Sequence, residues 1–340
     1  MRAIGYQAPL PITDEHSLVD VDLPRPTPSG RDLLVEIKAI SVNPVDTKIR
    51  ASGRPEAGSW KVLGWDAAGV VVETGPEAGM FKPGDAVFYA GSITRPGTNA
   101  QFHLVDERIV GRKPESLGWA EAAALPLTAI TAWETLFDRL DVKGRAVPGA
   151  AQAILIIGGA GGVGSIAIQL ARKLTGLTVI ATASRPETTA WATDLGAHHV
   201  VDHSRPLASA VEALGIGAPA FVFSTTNTGQ HLAEIVELIA PQGRFALIDD
   251  PATLDINPFK RKSVSVHWEL MFTRPMFGTA DIAEQGVLLN EVSRLVDDGT
   301  LRTTLAENFG PINATNLKRA HALIESGKAR GKIVLEGFDA

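Results

Sequence analysis

Hydrophobic and polar positions follow two different periods along this chain. Over the first third, short apolar runs alternate with polar residues and break at Pro and Gly. The opening residues Met1-Arg2-Ala3-Ile4-Gly5-Tyr6 alternate as a strand does, and residues 33–40 and 68–73 are rich in β-branched and apolar side chains. Pro24, Pro26 and Pro28 before Gly30 predict an extended connection. Lys82-Pro83-Gly84-Asp85 predicts a turn into a strand at 86–90. Near Trp119 the pattern becomes helical: 119–125 is rich in Ala, and 127–140 carries apolar residues at helical spacing.

From Ala153 the two periods alternate. Strands are predicted at 153–157, 177–182, 198–201, 220–223, 244–248 and 263–267, with helices at 163–174, 186–195 and 229–239 between them. Strands that are apolar throughout, separated by helices, imply a parallel sheet covered on both faces, the α/β doubly wound architecture that binds nucleotides. Helices at 281–297 and 316–327 and a strand at 331–335 complete the chain.

Composition narrows the function. The 340 residues suffice for two domains, and 32 basic against 38 acidic residues give a net charge of -6. This acidic balance, without a basic block, argues against nucleic-acid binding. No apolar run reaches the ~18–20 residues needed to span a bilayer. No charged-then-apolar segment opens the chain, so a cytoplasmic location with no membrane partner is expected. Cysteine is absent, which excludes disulfides, thiol catalysis and thiolate zinc sites together.

The strongest motif is Gly159-Ala160-Gly161-Gly162-Val163-Gly164, which follows an apolar strand and opens a helix. Gly159 is expected to make the tight turn, Gly161 to let backbone N–H groups approach a pyrophosphate, and Gly164 to permit close packing. The helix N-terminus favours the phosphate charge. The competing reading is a structural glycine turn. No acid stands between Ser165 and Pro186, where a carboxylate would bind a ribose 2′-OH. Ser184 and Arg185 stand there instead, suited to a 2′-phosphate, so NADPH is the expected cofactor. The alternative for that pair is a solvated helix entry. His203 is placed beside the adenosine or in a surface loop, and Thr225 and Asp249 follow sheet strands at the ligand-binding edge.

Several segments together resemble the medium-chain dehydrogenase/reductase superfamily. They are Ser41-Val42-Asn43-Pro44-Val45-Asp46, Leu63-Gly64-Trp65-Asp66-Ala67-Ala68-Gly69, Lys82-Pro83-Gly84-Asp85, Ala124-Leu125-Pro126-Leu127-Thr128, the glycine loop, and Gly327-Lys328-Ala329-Arg330-Gly331-Lys332-Ile333-Val334. The resemblance implies a β-rich, GroES-like catalytic domain of residues 1–127 and 270–340, and a Rossmann NADPH-binding domain of residues 128–269. Zinc-dependent members carry a Cys in the first segment and Gly-His-Glu in the second. Here those positions hold Asn43 and Trp65-Asp66, so no metal is expected. The chain resembles the zinc-free quinone reductases, which pass hydride to a quinone or an α,β-unsaturated carbonyl.

The resemblance also supplies the catalytic candidates. Asn43 and Asp46 fall in a cleft-lining loop, where Asn43 could donate to an acceptor oxygen; a polar turn about Pro44 is the alternative. Thr131 matches a threonine close to the nicotinamide, or is a helix threonine bonded to its own backbone. Tyr89 is a candidate proton donor or a packed strand-end residue. Lys332, with Lys328 and Arg330, reaches the cofactor phosphates or forms a solvated basic end. A homodimer is implied, with the aromatic segment 267–277 near its interface or walling the cleft. Two other functions stand beside the reductase: a zinc-type alcohol dehydrogenase with a displaced metal site, and a non-catalytic NADPH-binding protein.

Overall fold

The computed structural model describes residues 1–338. The chain divides into two compact units, Met1–Ile130 with Phe272–Ala340, and Thr131–Met271.

The first unit is built on a seven-stranded sheet whose spine is the strand Asp32–Val42. That strand pairs antiparallel with Ala67–Thr74, with Phe102–Asp106 and with the last strand, Lys332–Glu336. Leu33, Leu34 and Val35 are all buried, because both faces of the spine are covered. Beyond this apolar start the strand alternates, with Ile37 and Ala39 buried and Glu36 and Lys38 partly exposed. The register Ile333↔Val42 brings the C-terminal segment beside Asn43. A smaller three-stranded sheet contains Arg2–Tyr6, Val19–Asp22 and Lys61–Val62.

One element differs from expectation at the functional end of this unit. Residues after Asn43 form a helix, Pro44–Ser52, and neither a loop nor a polar turn. Asn43 is extended (φ -126°, ψ 157°), Pro44 takes the first turn, and the Asp46 carboxylate accepts the Asn43 N–H at 2.6 Å. Proline loses nothing at a helix start, and an acid three residues after the cap satisfies an otherwise orphaned donor.

The second unit is a six-stranded parallel sheet. Its order is His199–Val201, Thr178–Thr182, Ala151–Ile157, Pro219–Ser224, Arg244–Leu247, Ser265–Trp268. The order reverses between Ala151–Ile157 and Pro219–Ser224, the switch point at which such sheets bind ligands. The helices Gly162–Leu174, Pro186–Asp194, Leu207–Glu212 and Thr228–Leu238 connect the strands. Leu155, Ile157, Ile180, Val222, Ile235, Phe245 and Phe259 form a continuous core. The helical run expected over 127–140 is interrupted: Pro126–Trp133 is α-helical, and Glu134–Arg139 widens into a π-helix, with Leu140 N–H donating to Thr135 O at 2.8 Å.

Candidate active site

In the second unit the glycine loop leaves the buried strand Ala151–Ile157 and turns at once into the helix Gly162–Leu174. The left-handed residue is Gly158 (φ 81°), where a Cβ would lie 2.4 Å from Thr225 Oγ1. The tight turn therefore belongs to Gly158, one residue before the position expected from the motif. Gly159 is needed for space: its Cβ would stand 2.7 Å from Ala181 Cβ. At Gly164 a Cβ would meet Gly158 O at 2.3 Å and Gly159 Cα at 2.7 Å, so the helix packs directly on the loop backbone. No side chain caps the helix start at Gly161. The first-turn N–H groups at Gly162, Val163 and Gly164 have no acceptor within the helix, which suits a pyrophosphate.

The other cofactor candidates lie around this edge. Ser184 is exposed. Arg185 stands at the entry of the helix Pro186–Asp194, with its Nε 3.2 Å from Glu187 Oε1. The Thr225 hydroxyl donates to Ile157 O at 2.8 Å, so it braces the loop against the strand. His203 Nδ1 lies 3.0 Å from Thr182 Oγ1. Asp249 is committed to the start of the helix Thr228–Leu238: its carboxylate accepts the Thr228 N–H at 2.9 Å and the Thr228 hydroxyl. This capping role takes the place of the cofactor contact expected of Asp249, because Asn227 in the left-handed region (φ 53°) leaves that helix without a cap of its own. Thr131 is buried, and its carbonyl accepts the Thr135 hydroxyl at 2.7 Å.

The first unit holds a buried charge cluster. Asn43, Asp46, Asp66 and Lys332 are each at most 3% exposed. The Lys332 ammonium donates to Asp66 Oδ2 at 2.9 Å, to Val42 O at 3.3 Å and to Asn43 Oδ1. Asn43 Nδ2 donates to the same Asp66 oxygen at 3.2 Å, and the Leu127 N–H donates to Asp66 Oδ1 at 3.2 Å. Burial pushes the Asp66 carboxyl up, while Lys332, Asn43 and Leu127 pull it down. A carboxylate facing three donors and no acceptor has the surroundings of an ionised group. Asp46 is pushed up to about 7, chiefly by burial, against the Asn43 N–H and the Lys332 charge.

This geometry corrects two expectations. Lys332 is not a cation for the cofactor phosphates, because all three ammonium hydrogens are spent inside the cluster. Asn43 is not a free donor for an acceptor oxygen, because its amide is taken by Asp66 and its carbonyl by Lys332. Sequence reasoning had no means to pair Lys332 with Asp66, which lie 266 residues apart. Tyr89 is fully buried; its hydroxyl lies 3.0 Å from His103 Nδ1, and burial raises its pKa far above the usual phenol value. That environment favours the packing role over proton donation.

The positions that carry zinc ligands in zinc-dependent relatives hold an amide, an indole and one carboxylate here. Trp65 is buried and donates through Nε1 to Ser92 O at 3.0 Å. The one suitable ligand, Asp66, already binds an ammonium. Such a donor set does not fit zinc, which requires several thiolate, imidazole or carboxylate ligands around one point. Among the described residues no group of three or more His, Cys, Asp or Glu is arranged to hold a metal ion. Replacing Lys332 by Met should leave the Asp66 charge buried and unpaired, costing about 3–5 kcal/mol in urea unfolding. Adding Asp66→Asn should recover a substantial part of that loss. A Lys332→Met protein as stable as the wild type would contradict the pairing.

Comparison with known proteins agrees with this architecture. Residues 29–132 match the alcohol dehydrogenase GroES-like domain, and residues 195–335 match the zinc-binding dehydrogenase family. A zinc-type alcohol dehydrogenase-like protein of Staphylococcus aureus is 39% identical, over 98% of this chain and 99% of its own length. A crystal structure from Rhizobium etli, provisionally described as a zinc-dependent alcohol dehydrogenase, is 70% identical with a TM-score of 0.98, covering 100% of this chain and 99% of that one. A quinone oxidoreductase from Coxiella burnetii is 26% identical with a TM-score of 0.79, covering 99% of both chains. The chain thus belongs to the zinc-type alcohol dehydrogenase-like proteins of the medium-chain dehydrogenase/reductase superfamily, and it is an oxidoreductase of that group.

Proposed function

We propose that this protein is an NADPH-dependent reductase that delivers hydride to a quinone or an α,β-unsaturated carbonyl without zinc. The observation that carries this reading is the donor set around Asp66, where the positions matching the family's zinc ligands hold an amide, an indole and a carboxylate already paired with the Lys332 ammonium. Oxidising an alcohol requires stabilising an alkoxide, for which a Lewis acid is the usual device. A quinone or enone delocalises the incoming electrons into its own carbonyl, and the protein has only to align the reactants and exclude water. The likeness to a quinone oxidoreductase points the same way.

The nicotinamide supplies the hydride, and one proton from solvent completes the reduction. The first-turn amides of Gly162, Val163 and Gly164 bind the pyrophosphate, with Gly158, Gly159 and Gly161 keeping the loop free of side chains. Ser184, Arg185 and His203 receive the adenosine end. For Arg185 this means exchanging the partly exposed Glu187 for a phosphate, which offers a stronger charge-assisted bond. Thr131 is assigned to the nicotinamide end. Asn43 and Asp46 position the first unit's cluster and do not touch the acceptor.

Metal-depleted protein should oxidise NADPH with a panel of quinones and enones, preferring NADPH over NADH by about tenfold or more in kcat/KM. Activity that disappears on chelation and returns with zinc would contradict the proposal. So would NADPH binding with no turnover across the panel.

We also propose a homodimer formed through the edge strand Ser265–Trp268. Among the described residues this strand is paired on one side only, and Trp268 and Leu270 are more than half exposed beside it. Light scattering should give a dimer for the wild type and a monomer for Trp268→Lys. A monomeric wild type would remove this part of the proposal.

A further inference from the structure

One hydroxyl at the carboxyl edge of the second unit's sheet joins the glycine loop to an imidazole. Thr182 ends the second strand of the nucleotide-binding half, and its Oγ1 accepts the Gly158 N–H at 3.0 Å. The same oxygen lies 3.0 Å from His203 Nδ1. With one lone pair taken by Gly158, Oγ1 keeps one lone pair and its hydrogen, so it can donate to a bare Nδ1 or accept from Nδ1–H. Either neutral tautomer of His203 satisfies this contact, and Nε2 is the ring nitrogen turned away from Thr182. In the imidazolium both ring nitrogens carry protons. Nδ1–H then donates to the other lone pair of Oγ1, and the Gly158 bond is kept. The node holds the ring in one orientation in both protonation states.

The charged neighbours of this ring are few. His231, on the helix Thr228–Leu238, meets it edge-on with centroids 6.2 Å apart. Asp202 precedes it on the same turn and is 3.7 Å from Arg205. Thr182, on the strand side, is uncharged. Burial and His231 hold His203 below the usual histidine range, while Asp202 pulls it up. In doubly wound folds the group at the ribose 2′ position is read at the end of the second strand, which here is Thr182.

We propose that His203 reads the 2′-phosphate of the cofactor by taking up a proton as it binds, so that the preference for NADPH over NADH strengthens as pH falls. The inference rests on the NADPH reading above and adds to it a residue and a pH dependence. A phosphate dianion beside the ring favours the imidazolium, whereas the 2′-OH of NADH brings no charge to it. The ring then titrates at a higher pH in the NADPH complex than in the free protein. The added affinity is present below the titration point of the complex and is lost as pH rises through it. Within that window each pH unit changes the preference by at most about tenfold.

Binding of NADPH and of NADH to the full chain should be titrated by fluorescence between pH 6.5 and 8.5, for wild type and His203→Gln. Glutamine keeps hydrogen-bonding capacity and cannot be charged. From pH 6.5 to 8.5 the ratio of the NADH Kd to the NADPH Kd should fall by about fivefold or more in the wild type, and by less than about twofold in the variant. The comparison removes the phosphate's own titration near pH 6. Equal slopes in the two proteins would overturn the inference and leave the NADPH reading intact. A wild type that does not prefer NADPH at any pH would instead overturn the NADPH reading. As a check independent of the variant, the His203 imidazole followed by NMR in the wild type should titrate at higher pH with NADPH than with NADH. No difference would also overturn the inference.

Discussion

The first unit depends on a single buried ion pair. Lys332 and Asp66 face each other at 2.9 Å with almost no exposure to solvent. Removing two charges from water costs several kcal/mol each, so a pair of this kind persists only when the remaining donors and acceptors are also satisfied. Here they are. Lys332 adds Val42 O and Asn43 Oδ1, and Asp66 adds the Asn43 amide and the Leu127 N–H. These bonds tie four separate segments to one point: the last strand, the end of the sheet's spine, the Trp65-Asp66 turn and the helix Pro126–Trp133. Two of the residues at that point, Asn43 and Asp66, fall where the family resemblance places zinc ligands. In this chain a cation carried by the polypeptide does the charge balancing, and its position is fixed by the pairing of Lys332–Glu336 with Asp32–Val42.

The second unit follows a different constraint, the need for an exposed helix N-terminus against a crowded strand edge. Three glycines serve distinct purposes there. Gly158 takes the left-handed turn, Gly159 clears Ala181, and Gly164 lets the helix rest on the loop. Thr182 links this loop to His203 through one hydroxyl.

Much of this was legible in the sequence where the signal is local. Apolar strands alternating with helices revealed the parallel sheet, and the glycine loop marked the tight turn into the helix Gly162–Leu174. Even the helix Pro44–Ser52 had a local signature in Asn43-Pro44-Val45-Asp46, an N-cap followed by proline and an acid. It was obscured because the same residues also suit a turn. What local patterns cannot supply is partnership. Lys332 read as a surface cation because its sequence neighbours are basic, while its true partner is 266 residues away. Tyr89 read as a possible acid until His103 was found against it. Asp249 read as a ligand contact because it follows a strand, and only the left-handed Asn227 shows which helix it caps.

The central claim is that the Lys332 ammonium satisfies Asp66, the one carboxylate at the positions that match the family's zinc ligands. The most direct measurement is a crystal structure grown in millimolar zinc, with anomalous data collected at the zinc edge. The account predicts no anomalous peak at Asp66 and an ammonium still about 2.9 Å from its carboxylate. An anomalous peak bound by Asp66, with Lys332 swung out of the cluster, would contradict it.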